Sequence, residues 1–304
     1  MAATPPRPPN YFVIAITSVV MAGLLLAPIP AGWLGLWQDK FLDIGHVPLF
    51  AALVVVLWAA LGRDLRRSLI AAVVVAGLVE VVQPWVGRSG DWVDFVRGVL
   101  GALIGAAAVR AWEARRSWRG AILYLGLALV LAVWPVAELF PYAVDTVHGH
   151  RSFPVLADFT TESELLRWDC EQASITRVGA PDPPAGRLVL HPGPEPYSSG
   201  TMRSIVTDFR GYRWLCCAFR VTSGPVELVT SVRSGVVGRT GTTHAQVGRR
   251  FPTGDHLLRL DLPALAAKAR PDPLELADIR CVQFFVVNTP EDVVLDISRV
   301  CLEP

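Results

Sequence analysis

The sequence has no surplus of charge: 28 Lys and Arg stand against 27 Asp and Glu, a net +1 at pH 7. It also lacks a basic patch interleaved with aromatic residues, so no nucleic-acid partner is expected. Cysteine is missing from the first half; Cys170, Cys216, Cys217, Cys281 and Cys301 all lie in the second. Their odd number leaves at least one thiol unpaired within a monomer. No metal-ligand motif of the HExxH kind is present. Neither is an internal repeat or an interrupted helix pair of the sort that builds transporter sites. A cleavable signal peptide is not evident. MAATPPRPPN carries one arginine, and the apolar run after it ends in APIPAGW and leads into further runs, which predicts a retained first helix.

What is present divides at about residue 141. A mean hydropathy of +0.41 and a charged fraction of 18% average two unlike halves. Residues 11–140 are dominated by Ala, Val, Leu, Gly and Trp, whereas the remainder mixes short apolar runs with turn residues and scattered charge. At 304 residues the chain is long enough for two domains. The predicted architecture is a multi-span α-helical membrane bundle over 1–140, a linker over 141–151 and an extracytoplasmic all-β sandwich or jelly roll over 152–304. Five apolar runs, near 11–30, 47–62, 68–86, 94–112 and 119–140, approach the about 20 residues that a helix needs to cross the hydrocarbon core. Arg63, Arg66 and Arg67 mark the second link, and Arg110, Arg115, Arg116 and Arg119 the fourth; Lys40, Arg88 and Arg97 stand in or beside the first and third. The positive-inside rule then puts the N-terminus in the cytoplasm and the chain beyond Pro141 outside, in a multi-pass plasma-membrane protein.

The helical half is organised around EVVQPWVGRSGDWVDFVRG, residues 80–98. Glu80 lies deep in an apolar run, where an ionisable side chain is costly and reads as a site. Glu80 and Gln83 share a helix face at spacing three, as do Asp91 and Asp94, and Asp94 and Arg97. The inferred topology brings three segments to the same depth on the outer side. They carry Asp39, Lys40, Asp43 and His46; Glu80 and Gln83; and Arg88, Asp91 and Asp94. Gly98, Gly101 and Gly105 give a small-residue face that lets helix backbones approach.

Three readings of these polar groups stand side by side. In the first, opposite charges neutralise one another and Gln83 bonds a neighbouring helix, so the cluster fixes packing. In the second, Lys40, Arg88 and Arg97 grip a phosphate or carboxylate within a pocket shared with Asp39, Gln83, Asp91 and Asp94. Glu80 and His46 are then candidate general bases, and a lipid-linked cell-wall precursor or another anionic envelope lipid fits the pocket. In the third, His46, Glu80, Asp91 and Asp94 hold Mg, Mn or Zn.

DKFLDIGHVPLFAAL followed by EVVQPWVGRSGDWVDFVRGVLGALIG resembles the VanZ-like family, named for a membrane protein associated with teicoplanin resistance. In that family an Asp-Lys pair and a His open one helix, a Glu and a Gln follow in the next, and then come an Arg, a pair of Asp and glycines. These fall here on Asp39, Lys40, His46, Glu80, Gln83, Arg88, Asp91, Asp94, Gly98 and Gly101. The gap from Lys40 to His46 is longer than the family's, and Arg97 stands near its usual Asn. The resemblance covers about residues 10–135 and implies a cell-envelope membrane protein connected with glycopeptide resistance, and no particular reaction.

From about residue 152, nine short apolar runs separated by Gly, Pro, Asp and Ser predict strands of a sandwich: FPVLADF, ASITRV, GRLVLH, GTMRSIVTDF, RWLCCAFRV, VELVTSV, HLLRLDL, IRCVQFFVV and VVLDISRVCL. LPALAAKA is the one helical patch. His148 and His150, two apart in the linker, read as solvated. Trp168, Tyr197 and Tyr212 are candidates for stacking on sugar rings, while Trp214, inside an apolar strand, is expected in the core. Asp158 and Asp296, in the first and last strands, are a candidate Ca²⁺ pair. Cys281 and Cys301 could form a disulfide if the last two strands are neighbours. Cys216 and Cys217, adjacent in one strand, point to opposite faces. DFT…W, DFRGYRWLCCAFRV and LDISRVCL resemble jelly-roll, carbohydrate-binding-module-like domains of envelope proteins, and that resemblance implies glycan engagement. The function predicted is a VanZ-type envelope protein that binds or modifies an anionic lipid or lipid-linked glycan at the outer leaflet, its outer domain engaging glycan. The alternative is a non-catalytic membrane anchor that displays a binding module.

Overall fold

A computed structural model describes residues 12, 16, 20, 40, 41, 43–86, 91–179, 183–235, 243–270 and 272–304. The chain divides into two compact units, Lys40–Phe140 and Pro141–Pro304 among the described residues. Asp39, Arg88 and most of the first apolar run lie outside the described residues.

The first unit is helical. It contains α1 (His46–Ala60), α2 (Leu65–Val82), α3 (Trp92–Glu113) and most of α4 (Trp118–Ser152). Local chemistry sets the helix starts. The Asp64 carboxylate accepts the Arg67 N–H ahead of α2, and the Asp91 carboxylate accepts the Val93 N–H ahead of α3. Phe50, Leu53, Val54 and Leu57 of α1 pack against Ala72, Ala76 and Val79 of α2 and Ala102 of α3. Gly101 and Gly105 have a steric task, since a Cβ at either would land on the backbone carbonyl of Val47 or Ala51. α1 and α3 therefore meet backbone to backbone. By length and composition, α3 with its following turn (25 residues) and α4 (35 residues) can each cross a membrane, with mean hydropathies of 1.6 and 2.2 in their most apolar 18-residue windows. α1 is shorter, at 15 residues.

The expected linker over 141–151 is a correction: α4 runs unbroken to Ser152. Pro141 forfeits one helical N–H, but the helix resumes beyond it. The Thr146 hydroxyl donates to the Tyr142 carbonyl at 2.8 Å, and the His150 ring donates through Nδ1 to the Thr146 carbonyl at 2.8 Å.

The second unit is an antiparallel β-sandwich. Its strands are β1 (Val155–Ala157), β2 (Trp168–Glu171), β3 (Ala173–Val178), β4 (Ala185–Leu190), β5 (Tyr197–Arg203), β6 (Trp214–Val221), β7 (Val226–Ser234), β8 (Thr243–Phe251), β9 (Gly254–Asp261), β10 (Ile279–Val287) and β11 (Val293–Glu303). One sheet has the order β3-β4-β11-β6-β9, with β1 also on β11; the other has the order β2-β5-β10-β7-β8. Alternate residues of both sheets fill the space between them, among them Leu188, Phe219, Leu295 and Ile297 from one and Met202, Leu228, Val282 and Phe284 from the other. The short α5 (Leu262–Lys268) starts where the Asp261 carboxylate accepts the Ala264 N–H. β2 and β8 correspond to no predicted strand.

The Cys281–Cys301 pairing is also corrected. β10 and β11 belong to different sheets, and all five cysteines are free. Cys301 lies instead directly opposite Cys216 on β6.

Candidate functional site

Two regions hold chemistry-bearing side chains. In the helical unit, His46 opens α1 and is buried at 3% exposure. Its Nδ1 lies 3.0 Å from the Asp43 carbonyl. A carbonyl only accepts, so Nδ1 carries a proton. Nε2 is buried without a hydrogen-bond partner among the described residues, as are both polar atoms of the Gln83 amide. Arg97 donates to Asp94 at 2.6 Å and to Glu138 of α4 at 2.8 Å. Asp94 also lies 4.0 Å from His46 Nδ1. The Glu80 carboxylate accepts the Asp91 N–H at 2.9 Å, and Lys40 pairs with Asp43 at 3.5 Å.

The structure thus joins residues of α1, α3 and α4 around Arg97 and ties Glu80 to the start of α3. Glu138 is the member that sequence reasoning missed; its signal was a lone carboxylate in the 119–140 run. Each terminal nitrogen of Arg97 gives one N–H to a carboxylate, which makes Arg97 the hub of an ion-pair network, while its buried Nε has no hydrogen-bond partner among the described residues. Among the described residues, Lys40 is paired with Asp43 and Arg97 with Asp94 and Glu138, whereas Glu80 and Asp91 accept backbone N–H groups at the start of α3.

The second region is the outer face of the β2-β5-β10-β7-β8 sheet. Met202, Val282, Phe284 and Leu228 point inward, so the residues alternating with them point outward. The strand register then aligns Asp169, Thr201, Gln283, Ser231 and Gln246 in one row across five strands. Arg203, Cys281, Arg233 and His244 form the row on one side; Glu171, Ser199, Phe285, Val229 and Gly248 form the row on the other. Arg203 donates to Asp169 at 2.7 Å, and Arg233 to Gln283. Tyr197 occupies the same face at 52% exposure, edge-on to Phe285 at 6.4 Å. Sequence reasoning found Tyr197 but not the row. The available signal was the run of alternate polar residues Ser199, Thr201, Arg203 in β5 and Ser231, Arg233 in β7.

The other aromatic and acidic candidates lie elsewhere. Trp168 is corrected to a core residue: it is 7% exposed and stacked between Phe159 and Phe284, with centroids at 5.9 and 6.1 Å. Tyr212 is half-buried, edge-on to Phe153. Trp214, expected in the core, is half-buried with the Arg213 and Arg259 guanidinium groups each 5.1 Å from its ring. Asp296 receives two bonds from Arg187, at 2.7 and 3.0 Å. Asp158 gathers instead with His148 and Glu164. Burial works to raise the Asp158 pKa, but hydrogen bonds from Thr160, contact with Glu164 and the nearby His148 outweigh it and hold the carboxyl below its ordinary value.

The β-sandwich resembles carbohydrate-binding modules. A family 11 module from Clostridium thermocellum, in complex with a β-1,3-1,4-mixed-linked tetrasaccharide, is similar at a TM-score of 0.41 and 13% identity, over 49% of this chain and 94% of that one. A family 30 module of a cellulosomal cellulase from Clostridium thermocellum is similar at 0.35 and 12%, over 45% and 86%. An exo-β-agarase is similar at 0.40 and 12%, over 49% of this chain and 24% of the agarase. No protein-family model, that of the VanZ-like family included, and no curated protein matches the sequence.

Chemically, the sheet face carries hydroxyl, amide, carboxylate and guanidinium groups at regular spacing beside the exposed Tyr197 ring; Asp169 and Gln246 are exposed and Thr201 half-buried, whereas Ser231, Ser199 and Gln283 are buried at 0%, 2% and 9% exposure. The helical cluster supplies a buried imidazole nitrogen and a buried amide, both without a partner among the described residues.

Proposed function

We propose that the chain is a cell-envelope membrane protein that binds glycan on the outer face of its five-stranded sheet, with a lipid-linked glycan as the ligand class of its helical unit. The row Asp169, Thr201, Gln283, Ser231 and Gln246 carries this reading. Sugars present hydroxyls that both donate and accept, together with apolar ring faces. Amide, hydroxyl and carboxylate groups match the former, and the exposed Tyr197 ring matches the latter. In the helical cluster, Lys40 and Arg97 are each paired with carboxylates among the described residues, which favours a hydroxyl-rich group over an anionic phosphate. The Gln83 amide, His46 Nε2 and Arg97 Nε, all buried and without a hydrogen-bond partner among the described residues, are the groups proposed to meet it.

The test is binding by the full-length protein in detergent, read by native mass spectrometry with soluble oligosaccharides and envelope lipid extract. Tyr197→Ala with Gln283→Ala should weaken oligosaccharide binding at least tenfold, ~1.4 kcal/mol, and Gln83→Leu should remove a glycosylated-lipid adduct. Binding unchanged in all variants would sink the reading. One observation favours the anchor alternative: Glu80 and Asp91 both spend carboxylate oxygens on the first N–H groups of α3, as helix caps do. A wild-type protein free of lipid adduct that still binds oligosaccharide would select that alternative.

A further inference from the structure

We propose that His148, Asp158 and Glu164 form a site for one divalent transition-metal ion of the Zn²⁺ or Mn²⁺ class. Three elements of the second unit contribute: the last turns of α4, the segment after β1, and the 3-10 turn Glu162–Arg167. His148 Nε2 lies 3.6 Å from Glu164 Oε1 and 4.0 Å from Asp158 Oδ1. One ligand atom from each residue falls within 4.8 Å of the others. Atoms bound to a common ion at about 2.1 Å stand roughly 3 to 4 Å apart, so the triangle is already near the required size.

The hydrogen bonds around the site leave these atoms able to coordinate. Thr160 has a single hydroxyl proton, and Asp158 Oδ1 at 2.8 Å is nearer to it than Glu164 Oε1 at 3.3 Å; Oδ1 also accepts the Thr160 N–H at 3.1 Å, so a bound ion would take the place of the hydroxyl. Glu164 Oε2 takes two backbone N–H groups at 2.9 Å, but among the described residues Oε1 takes one, from Thr161 at 3.2 Å, with the Thr161 hydroxyl at 3.5 Å and nearer to Ser163 Oγ at 3.0 Å. Oε1 therefore keeps a lone pair on the His148 side. His148 Nε2 has only long contacts, with Ser152 Oγ at 3.3 Å and Thr160 Oγ1 at 3.4 Å. An imidazole nitrogen and two carboxylates thus converge without a short hydrogen bond between them, and a cation satisfies all three.

Access and anchorage differ across the site. The side chains of His148 and Asp158 are 27% and 32% exposed, whereas that of Glu164 is 1% exposed. Imidazole with two carboxylates suits Zn²⁺ or Mn²⁺; Ca²⁺ calls for six to eight oxygens. The site is independent of the glycan reading.

The experiment is isothermal titration of EDTA-treated full-length protein in detergent with ZnCl₂, MnCl₂ and CaCl₂. Wild type and His191→Ala, which disturbs a separate His–Asp pair, should each bind one Zn²⁺ or Mn²⁺. His148→Ala and Asp158→Asn should weaken that binding at least tenfold. Co²⁺ loaded into wild type provides a readout that does not depend on any variant folding, since its visible absorption bands should show nitrogen-containing coordination. No saturable binding, a preference for Ca²⁺, or affinity unchanged in both variants would each overturn the proposal.

Discussion

Arg167 shows how much one side chain can hold in place. Its Nε and Nη2 grip the Asp145 carboxylate at 2.7 and 2.8 Å, a further nitrogen reaches the Leu156 carbonyl, and both side chains are only 3% exposed. Removing one partner of a buried pair leaves the other charge desolvated and unanswered. Asp145→Asn should therefore cost about 3–5 kcal/mol, seen as a lower melting temperature of the detergent-solubilised full chain; an unchanged melt would show the pair to be dispensable. Such pairs are hard to read in a sequence. Asp145 sits in what looked like a linker, and Arg97 meets Glu138 across 41 positions. Trp168 could not be told from Tyr197 for a related reason. Trp168 and Tyr197 both lie in strands, and a one-residue change of register exchanges the two faces of a strand. Only the cross-strand register shows that one ring faces the core and the other faces out.

At the scale of elements, α1 to α3 and nine of the strands were legible from apolar periodicity and turn residues. The two strands that were not, β2 and β8, are the two edges of one sheet. Edge strands are kept from pairing with other chains by charge and short length. WDCE in β2 and the Gly248, Arg249, Arg250 stretch of β8 carry those devices, which erase the apolar alternation that marks a strand. The α1–α3 contact gives a direct test. Gly101→Ala forces a methyl group onto the Val47 carbonyl and should destabilise the protein by about 1–3 kcal/mol. Gly126→Ala in α4 meets no described atom within 4 Å and should be neutral or gain about 0.5–1 kcal/mol. Thermal unfolding of the two variants side by side checks this. Equal melting temperatures would mean that the helices do not meet at Gly101.

At the scale of the whole molecule, the composition changes near residue 141 while the helix continues to Ser152 and the first strand begins at Val155; the sandwich class was legible from turn spacing. The assignment of strands to sheets was not, because consecutive strands such as β10 and β11 cross between layers and nothing in their sequences records the crossing. The outward row of the five-stranded sheet has a further consequence. Strands repeat every 4.7–4.9 Å, so a row crossing five of them extends roughly 19 Å. A short sugar fills part of that span, and each added unit reaches another strand until the last one is covered. Affinity should therefore rise with oligosaccharide length and then level off, measurable by titrating a length series; equal affinity along the series would place binding at a single spot such as Tyr197. A hydrogen-bonding period fixed by the backbone would in this way act as a ruler for the polymer laid across it.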